Sequence, residues 1–147
     1  MSEQPLLTLC IPTFNRAPFL DILLSKIEKQ TGEFVNIRFL ELIVSDNCSN
    51  DNTSQIVHKY LNKGLAITYI RNDSNLGMDG NFVQCFKKAT GKYIWLLGDD
   101  DFLKDGALNK IMLELNGSEY GLVHLQVGSK CQKFKTVSYT HLRAHET

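Results

Sequence analysis

The stretch Tyr93-Ile94-Trp95-Leu96-Leu97-Gly98-Asp99-Asp100-Asp101-Phe102-Leu103 constrains the fold more than any other part of the chain. Five apolar residues in succession, with no turn residue among them, predict a strand buried on both faces. That strand runs into Gly98 and then three consecutive carboxylates. Adjacent Asp side chains repel one another, so a positive partner is expected at the strand end. A divalent cation holding a phosphate meets the need, because hard cations take oxygen ligands. Ligands of open α/β sheets also sit at the carboxyl ends of strands. A solvated acidic turn at a helix N-terminus would account for the same three residues.

The rest of the chain favours the first reading. Leu6–Ile11 is an apolar run stopped by Pro12-Thr13, and residues 18–29 carry a broad apolar helical face at Phe19, Leu20, Ile22, Leu23, Leu24 and Ile27. Thr31-Gly32 should end that helix. Phe39–Val44 predicts a second strand, followed by the turn-and-cap cluster Ser45–Thr53. Asp51 or Thr53 can cap the next helix, with Ile56, Val57, Tyr60 and Leu61 inward. Leu65–Arg71 predicts a third strand with Asn72–Gly77 as its exit loop, then a helix over Asn81–Ala89 with Thr90-Gly91 at its C-cap. Beyond the acidic stretch, Asp105 caps a helix that turns Ala107, Leu108, Ile111, Met112 and Leu115 inward, and Gly121–Gln126 predicts a fifth strand.

Strands alternating with helices through short connections predict parallel βαβ units, an α/β fold with helices flanking a mostly parallel sheet. Four polar loops follow strands: Pro12–Arg16, Ser45–Thr53, Asn72–Asn81 and Gly98–Asp101. In a parallel sheet they share one edge, which sets the Asp triplet among potential ligand contacts.

With 147 residues, 43% of them hydrophobic, the chain is long enough for one domain with a core. Sixteen basic residues balance sixteen acidic ones, which removes the electrostatic case for a nucleic-acid partner. The four cysteines, Cys10, Cys48, Cys85 and Cys131, form no CxxC pair, and Cys10 and Cys85 sit in apolar patterns that suit buried free thiols. A reduced, cytoplasmic setting is expected. Residues 1–5 lack the pattern of a signal peptide, and no apolar run reaches the length of a membrane span.

The segment Val137–Thr147 resembles the translation of a transposase adapter used in preparing sequencing libraries. On that resemblance it is expected to be a non-native tail, with natural sequence, and an incomplete domain, over residues 1–136. His141 and His145 then leave the functional argument.

Four stretches stand out between Leu6 and Gln126: Cys10-Ile11-Pro12-Thr13-Phe14-Asn15-Arg16, Val44-Ser45-Asp46-Asn47-Cys48-Ser49-Asn50-Asp51-Asn52-Thr53, Asn75-Leu76-Gly77 and Ala89-Thr90-Gly91-Lys92-Tyr93-Ile94. With them the chain resembles the N-terminal, donor-binding half of family 2 glycosyltransferases, which have the Rossmann-like GT-A fold. The version Trp95-Leu96-Leu97-Gly98-Asp99-Asp100-Asp101 is similar to a subgroup containing abequosyltransferase-like enzymes of bacterial O-antigen assembly. The resemblance implies a truncated GT-A sheet that takes a nucleotide-sugar donor and Mg²⁺ or Mn²⁺, and passes the sugar, with inversion, to a glycan or lipid-linked acceptor. It also implies work in the cytoplasm, with the full-length protein at the inner face of the membrane.

The same resemblance implies roles for single residues. Asp46 matches the carboxylate that meets the nucleotide base, where it would accept from a pyrimidine ring N–H. Pro12 and Thr13 match the loop lying against the nucleotide, with Asn15 and Arg16 beside them. Gly98 stands where many relatives have the first Asp of an Asp-x-Asp motif, so Asp100 falls on the metal-binding second Asp. Asp99 then supplies a carboxylate to the donor side, and Asp101 ligates the metal or caps the next turn. Many relatives carry Arg at the position of Phe82, which here reads as core, leaving Asn75, Asp79 and Asn81 as polar donor contacts. Lys92 and Arg16 are the nearest cations for phosphate, while His58 and His124 read as structural. The general base is expected in a later half of the domain. The alternatives are a nucleotidyltransferase, which should carry a Gly-rich basic first loop, and a flavodoxin- or receiver-like module binding Mg²⁺ alone.

Overall fold

A computed structural model of the chain describes residues 3–33, 37–121, 123 and 125. It contains the strands β1 (Leu7–Thr13), β2 (Leu40–Asp46), β3 (Thr68–Arg71) and β4 (Tyr93–Leu96). Between and after them lie the helices α1 (Ala17–Gly32), α2 (Thr53–Asn62), α3 (Gly77–Lys88) and α4 (Ala107–Leu115), with one 3-10 turn at Ile37–Phe39. All strand pairs are parallel, and the order across the sheet is β3-β2-β1-β4. This is the expected α/β architecture. The fifth strand expected at Gly121–Gln126 and the segment Val137–Thr147 fall on or among positions outside the described residues.

β1 is buried throughout except at Pro12, because it has a neighbour on each side. Cys10 and Ile43, partners in register, turn to one face and pack with Cys85 of α3. Leu9, Ile11, Leu42 and Val44 alternate to the other face. There, right-handed crossovers place α1 and α2, joined where Tyr60 Oη donates to Asp21 Oδ1 at 2.6 Å. Leu20, Leu24, Ile27 and Val57 are fully buried, and each such aliphatic side chain contributes roughly 1.5–3 kcal/mol.

Several expectations change. β1 runs on through Pro12 to Thr13, since Pro12 needs no N–H of its own to remain extended. α1 continues through Thr31 and Gly32, with Glu33 as its cap residue. Phe19 and Ile22 are 53% and 57% exposed, because the apolar stripe of α1 is narrower than its composition suggests. β3 is only Thr68–Arg71. α3 begins four residues early, at Gly77, whose φ of +75° lets the chain turn into the helix. Its C-cap residue is Ala89, in extended backbone, so Thr90-Gly91 is not the cap.

Gly91 has a different reason for being glycine. A Cβ there would stand 2.6 Å from Thr8 Oγ1 and 2.8 Å from the Thr8 backbone nitrogen. The strand leading to the Asp triplet is also not buried on both faces. β4 has β1 as its one neighbour among the described residues, and Ile94 is 41% exposed. Asp105 does not cap α4 but pairs with Lys26 at 3.3 Å. The N-terminus of α4 is served by Gln30, whose Oε1 accepts from Leu108 N–H and whose Nε2 donates to the Lys104 carbonyl.

The chain divides at Leu113 and Glu114 into two units. In the second, Glu114 holds the turn after α4: its carbonyl accepts from Ser118 Oγ and its carboxylate from Tyr120 Oη.

Candidate active site at the carboxyl edge of the sheet

Parallel strands deliver the four polar loops to one edge, as the sequence predicts. Thr13 and Asp46, the last residues of β1 and β2, are register partners. The ladder continues past them: Asn47 N–H donates to the Thr13 carbonyl, and Asn72 N–H to that of Asp46. Asn15, in left-handed backbone with φ +50°, donates its N–H to Ser49 Oγ and accepts from Asn50 N–H through Oδ1, both at 2.9 Å. Asp51 joins two helix starts by accepting from Ala17 N–H, Thr53 N–H and Thr53 Oγ1. Burial pushes its carboxyl up, but these bonds carry it below its ordinary value.

The acidic loop meets the loop after β1. Asp99 is buried, accepting from Thr13 Oγ1 at 2.8 Å through Oδ2 and lying 3.5 Å from Arg16 Nη1 through Oδ1. The same Nη1 lies 2.8 Å from Asp100 Oδ2. Asp101 turns back, accepting from Gly98 N–H at 2.8 Å. A Cβ at Gly98 would stand 3.0 Å from Asp101 Oδ2 and 3.1 Å from Asp100 Oδ1, so both carboxylates would have to shift to admit a side chain. Burial raises the Asp99 carboxyl above its ordinary range, opposed by the Thr13 bond and the Arg16 charge and assisted by Asp100. Arg16 thus gives Asp99 and Asp100 a positive neighbour.

No three His, Cys, Asp or Glu side chains among the described residues are grouped to hold a metal ion. Mg²⁺ does not require such a cage: it is commonly held by one or two carboxylates together with substrate phosphates. Asp100 Oδ1 and Asp101 Oδ1 carry no hydrogen bond among the described residues, and both side chains are exposed. Two hard oxygen donors beside open solvent fit that mode of binding.

Asp46 is enclosed. Its Oδ1 accepts from Ser49 N–H at 2.8 Å and its Oδ2 from Tyr69 Oη at 2.7 Å, with Arg71 Nε 3.9 Å away. The Tyr69 hydroxyl is pushed up to about 12 by burial and by its bond to Asp46. Tyr69 and Arg71 were not among the expected site residues. Their signal was the period-2 alternation of β3, which puts both on one face, with Arg71 in register with Asp46. His58 packs edge-on to Tyr69, with ring centroids 5.9 Å apart, a structural role as expected.

Asn75 and Asn81, expected at the donor, are occupied by the scaffold. Asn81 is buried; its Oδ1 accepts from Ser45 Oγ and Asn72 Nδ2, and its Nδ2 donates to the Ser45 carbonyl. Asn47 links the chain of amides onward: its Oδ1 accepts from Asn72 Nδ2 and Leu76 N–H, and its Nδ2 donates to Asn75 Oδ1 and the Gly77 carbonyl. Asn75 Oδ1 also accepts from Gly77 N–H. These residues fix the ends of β2 and β3 to the start of α3. Asp79 is exposed in the first turn of α3. Lys92 precedes β4, so it lies at the opposite edge from the acidic loop and is no phosphate contact there. Phe82 is partly buried, near its expected core place, and His124 lies outside the described residues.

A parallel sheet with flanking helices, bearing an acidic loop at its carboxyl edge, is the arrangement of the GT-A glycosyltransferases. The chain belongs to glycosyl transferase family 2, whose model matches residues 8–145. It is 39% identical over 104 residues to abequosyltransferase RfbV of Salmonella typhimurium, covering 70% of this chain and 30% of that protein. To a GalNAc(5)-diNAcBac-PP-undecaprenol beta-1,3-glucosyltransferase of Campylobacter jejuni it is 34% identical, covering 77% of this chain and 35% of the other. It thus spans about a third of the length of these curated relatives. Among solved structures, Staphylococcus aureus TarS 1-349 in complex with UDP-GlcNAc superposes with a TM-score of 0.64 at 29% identity, over 74% of this chain and 30% of that one. A mannosyltransferase of Pyrobaculum calidifontis in complex with GDP-Man and Mn²⁺ shares the fold, with a TM-score of 0.67 at 24% identity, over 82% and 35%. This membership replaces the nucleotidyltransferase and the flavodoxin- or receiver-like alternatives.

Proposed function

We propose that this chain is the donor-binding part of an inverting glycosyltransferase that takes a nucleoside diphosphate sugar with Mg²⁺ or Mn²⁺. The observation that carries the reading is the meeting of Thr13 and Arg16 with Asp99 and Asp100 at the edge where all four polar loops converge. Asp100 and Asp101 would hold the cation, and Arg16 would reach the phosphates. The bound cation would offset the diphosphate charge and so make it a better leaving group. Asp99, fixed by Thr13, sets the acidic loop against β1.

Asp46 would accept from the ring N–H of a pyrimidine. Each of its oxygens has a second lone pair for this, and access requires Tyr69 or the Ser49 turn to give way. The proposed acceptor is a glycan or lipid-linked hydroxyl of bacterial surface polysaccharide; the undecaprenol-linked sugar in the name of the Campylobacter relative supports a lipid-linked one. Its deprotonation falls to a base outside the residues described. No helix among the described residues is long and apolar enough to cross a membrane, and the proposed place of work is the cytoplasm, with the whole protein at the inner membrane face.

Calorimetry of the full chain with UDP, with Mg²⁺ and then with a chelator, tests the reading. Binding that weakens when the cation is removed is expected. Equal binding in both conditions would overturn the metal assignment.

A further inference from the structure

We propose that Arg16 is a built-in counter-ion for the acidic loop, one that gives up its place to the divalent cation when a nucleoside diphosphate arrives. The inference rests on the donor-binding reading above and concerns how that site is held before it is filled.

The two sides of the contact differ in freedom. Asp99 has a side chain 8% exposed and is fixed by Thr13, whereas the Arg16 side chain is 50% exposed. Arg16 starts α1 through its backbone, its carbonyl accepting from Phe19 and Leu20 N–H, and its side chain makes no cap bond. The guanidinium can therefore turn away without loosening the helix. Asp99 and Asp100 are the rigid and the solvated halves of one acidic cup, and Arg16 Nη1 is shared between them.

Charge then sets an order. Three carboxylates and one guanidinium leave the loop with two negative charges. A divalent cation arriving alone must approach Asp100, whose Oδ2 already faces Arg16, and the two positive groups repel. Once it is seated, the sum over the three carboxylates, Arg16 and the cation is zero, and the site no longer repels a diphosphate. Arg16, displaced from Asp100, becomes the cation available to the phosphates, where a guanidinium pairs well. The cation alone is thus held weakly, and cation and diphosphate together are held well.

Arg16→Gln separates the two effects. Titration of the full chain with Mn²⁺ alone, following free Mn²⁺ by electron paramagnetic resonance, should show about two- to fivefold tighter binding for the variant. Calorimetry with UDP at saturating Mn²⁺ should show about tenfold weaker binding. Arg16→Lys, which keeps the charge, should lie nearer the parent in both titrations, and matched circular dichroism of the three proteins controls for folding. Mn²⁺ bound no more tightly by Arg16→Gln than by the parent overturns the counter-ion role, even if UDP binding falls, since a plain phosphate contact would do the same. A parent chain that binds UDP equally with and without cation counts instead against the donor-binding reading.

Discussion

Thr13, the last residue of β1, donates a 2.8 Å hydrogen bond to Asp99 across 86 positions of sequence, and so ties the end of the first strand to the acidic loop. The acceptor is a carboxylate that burial makes harder to ionise. A group whose folded-state pKa is raised adds stability below its unfolded value, here 3.8, and that contribution is lost as pH rises through the folded value. At neutral pH Asp99 therefore costs stability. Asp99→Asn keeps an oxygen for Thr13 and removes the charge beside Asp100. Its melting temperature should exceed that of the parent at pH 7, with the gap closing as pH falls toward 3.8. A lower melting temperature at pH 7 would contradict the assignment.

Asp100, like Asp101, is an exposed carboxylate with an oxygen to spare. Asp100→Asn should remove about 1–3 kcal/mol from the cation-dependent part of UDP affinity, the scale of one charged contact. Binding measured in chelator should be unaltered. Calorimetry in both conditions separates the two, and an equal loss in each would place the effect on folding instead of the metal.

Asn81 belongs to the scaffold that orients the loops. Replacing it with Ala takes away the side-chain partner of the Ser45 hydroxyl, a donor to the Ser45 carbonyl and one of the two acceptors of Asn72 Nδ2 in the interior. A loss of about 1–3 kcal/mol in urea-induced unfolding is expected for each buried partner left unsatisfied. Asn75→Ala, at an exposed position, should cost less. A variant at Asn81 that unfolds like the parent but no longer binds UDP would restore the direct donor contact expected from sequence.

Gly91 and Gly32 make a contrasting pair. A methyl group at Gly91 collides with the backbone of Thr8, whereas at Gly32 nothing lies within 4 Å. Gly91→Ala should destabilise by about 1–3 kcal/mol, the usual cost of overpacking. Gly32→Ala, at the end of α1, should be neutral or gain up to about 1 kcal/mol. Parallel thermal melts of the two variants decide it; equal effects would mean that β4 can shift away from β1 at no cost.

The order of elements and the edge carrying the site were legible because both rest on local signals. Apolar runs mark β1 and β2, turn clusters mark their exits, and parallel pairing gathers the exits together. The partner of the Asp triplet was not legible in the same way. A single Arg beside an Asn in a loop looks like any solvated charge, and only the docking of β4 against β1 brings Arg16 to Asp99. Asn47, Asn72, Asn75 and Asn81 show the converse. Asn is common in loops for turn chemistry, so nothing in their spacing reveals that they bond to one another; that follows from β2 and β3 ending level, with Asp46 beside Arg71. The exposure of Ile94 was missed because a run of apolar residues looks the same at the edge of a sheet as at its centre.

The sheet order has a consequence for the growing chain. β1 finds β2 about 33 positions downstream, as in the Thr8–Glu41 contact, but its other neighbour only after some 86. A nascent chain that has emerged only as far as α3 can pair β1, β2 and β3, and still lacks every carboxylate of the triplet. Late pairings are slow ones. The last of the four described strands carries the acidic loop, so affinity for the donor should switch on in the same event that completes the four-strand ladder. Ligand capture on stalled ribosomes would then report that closure, residue by residue of synthesis.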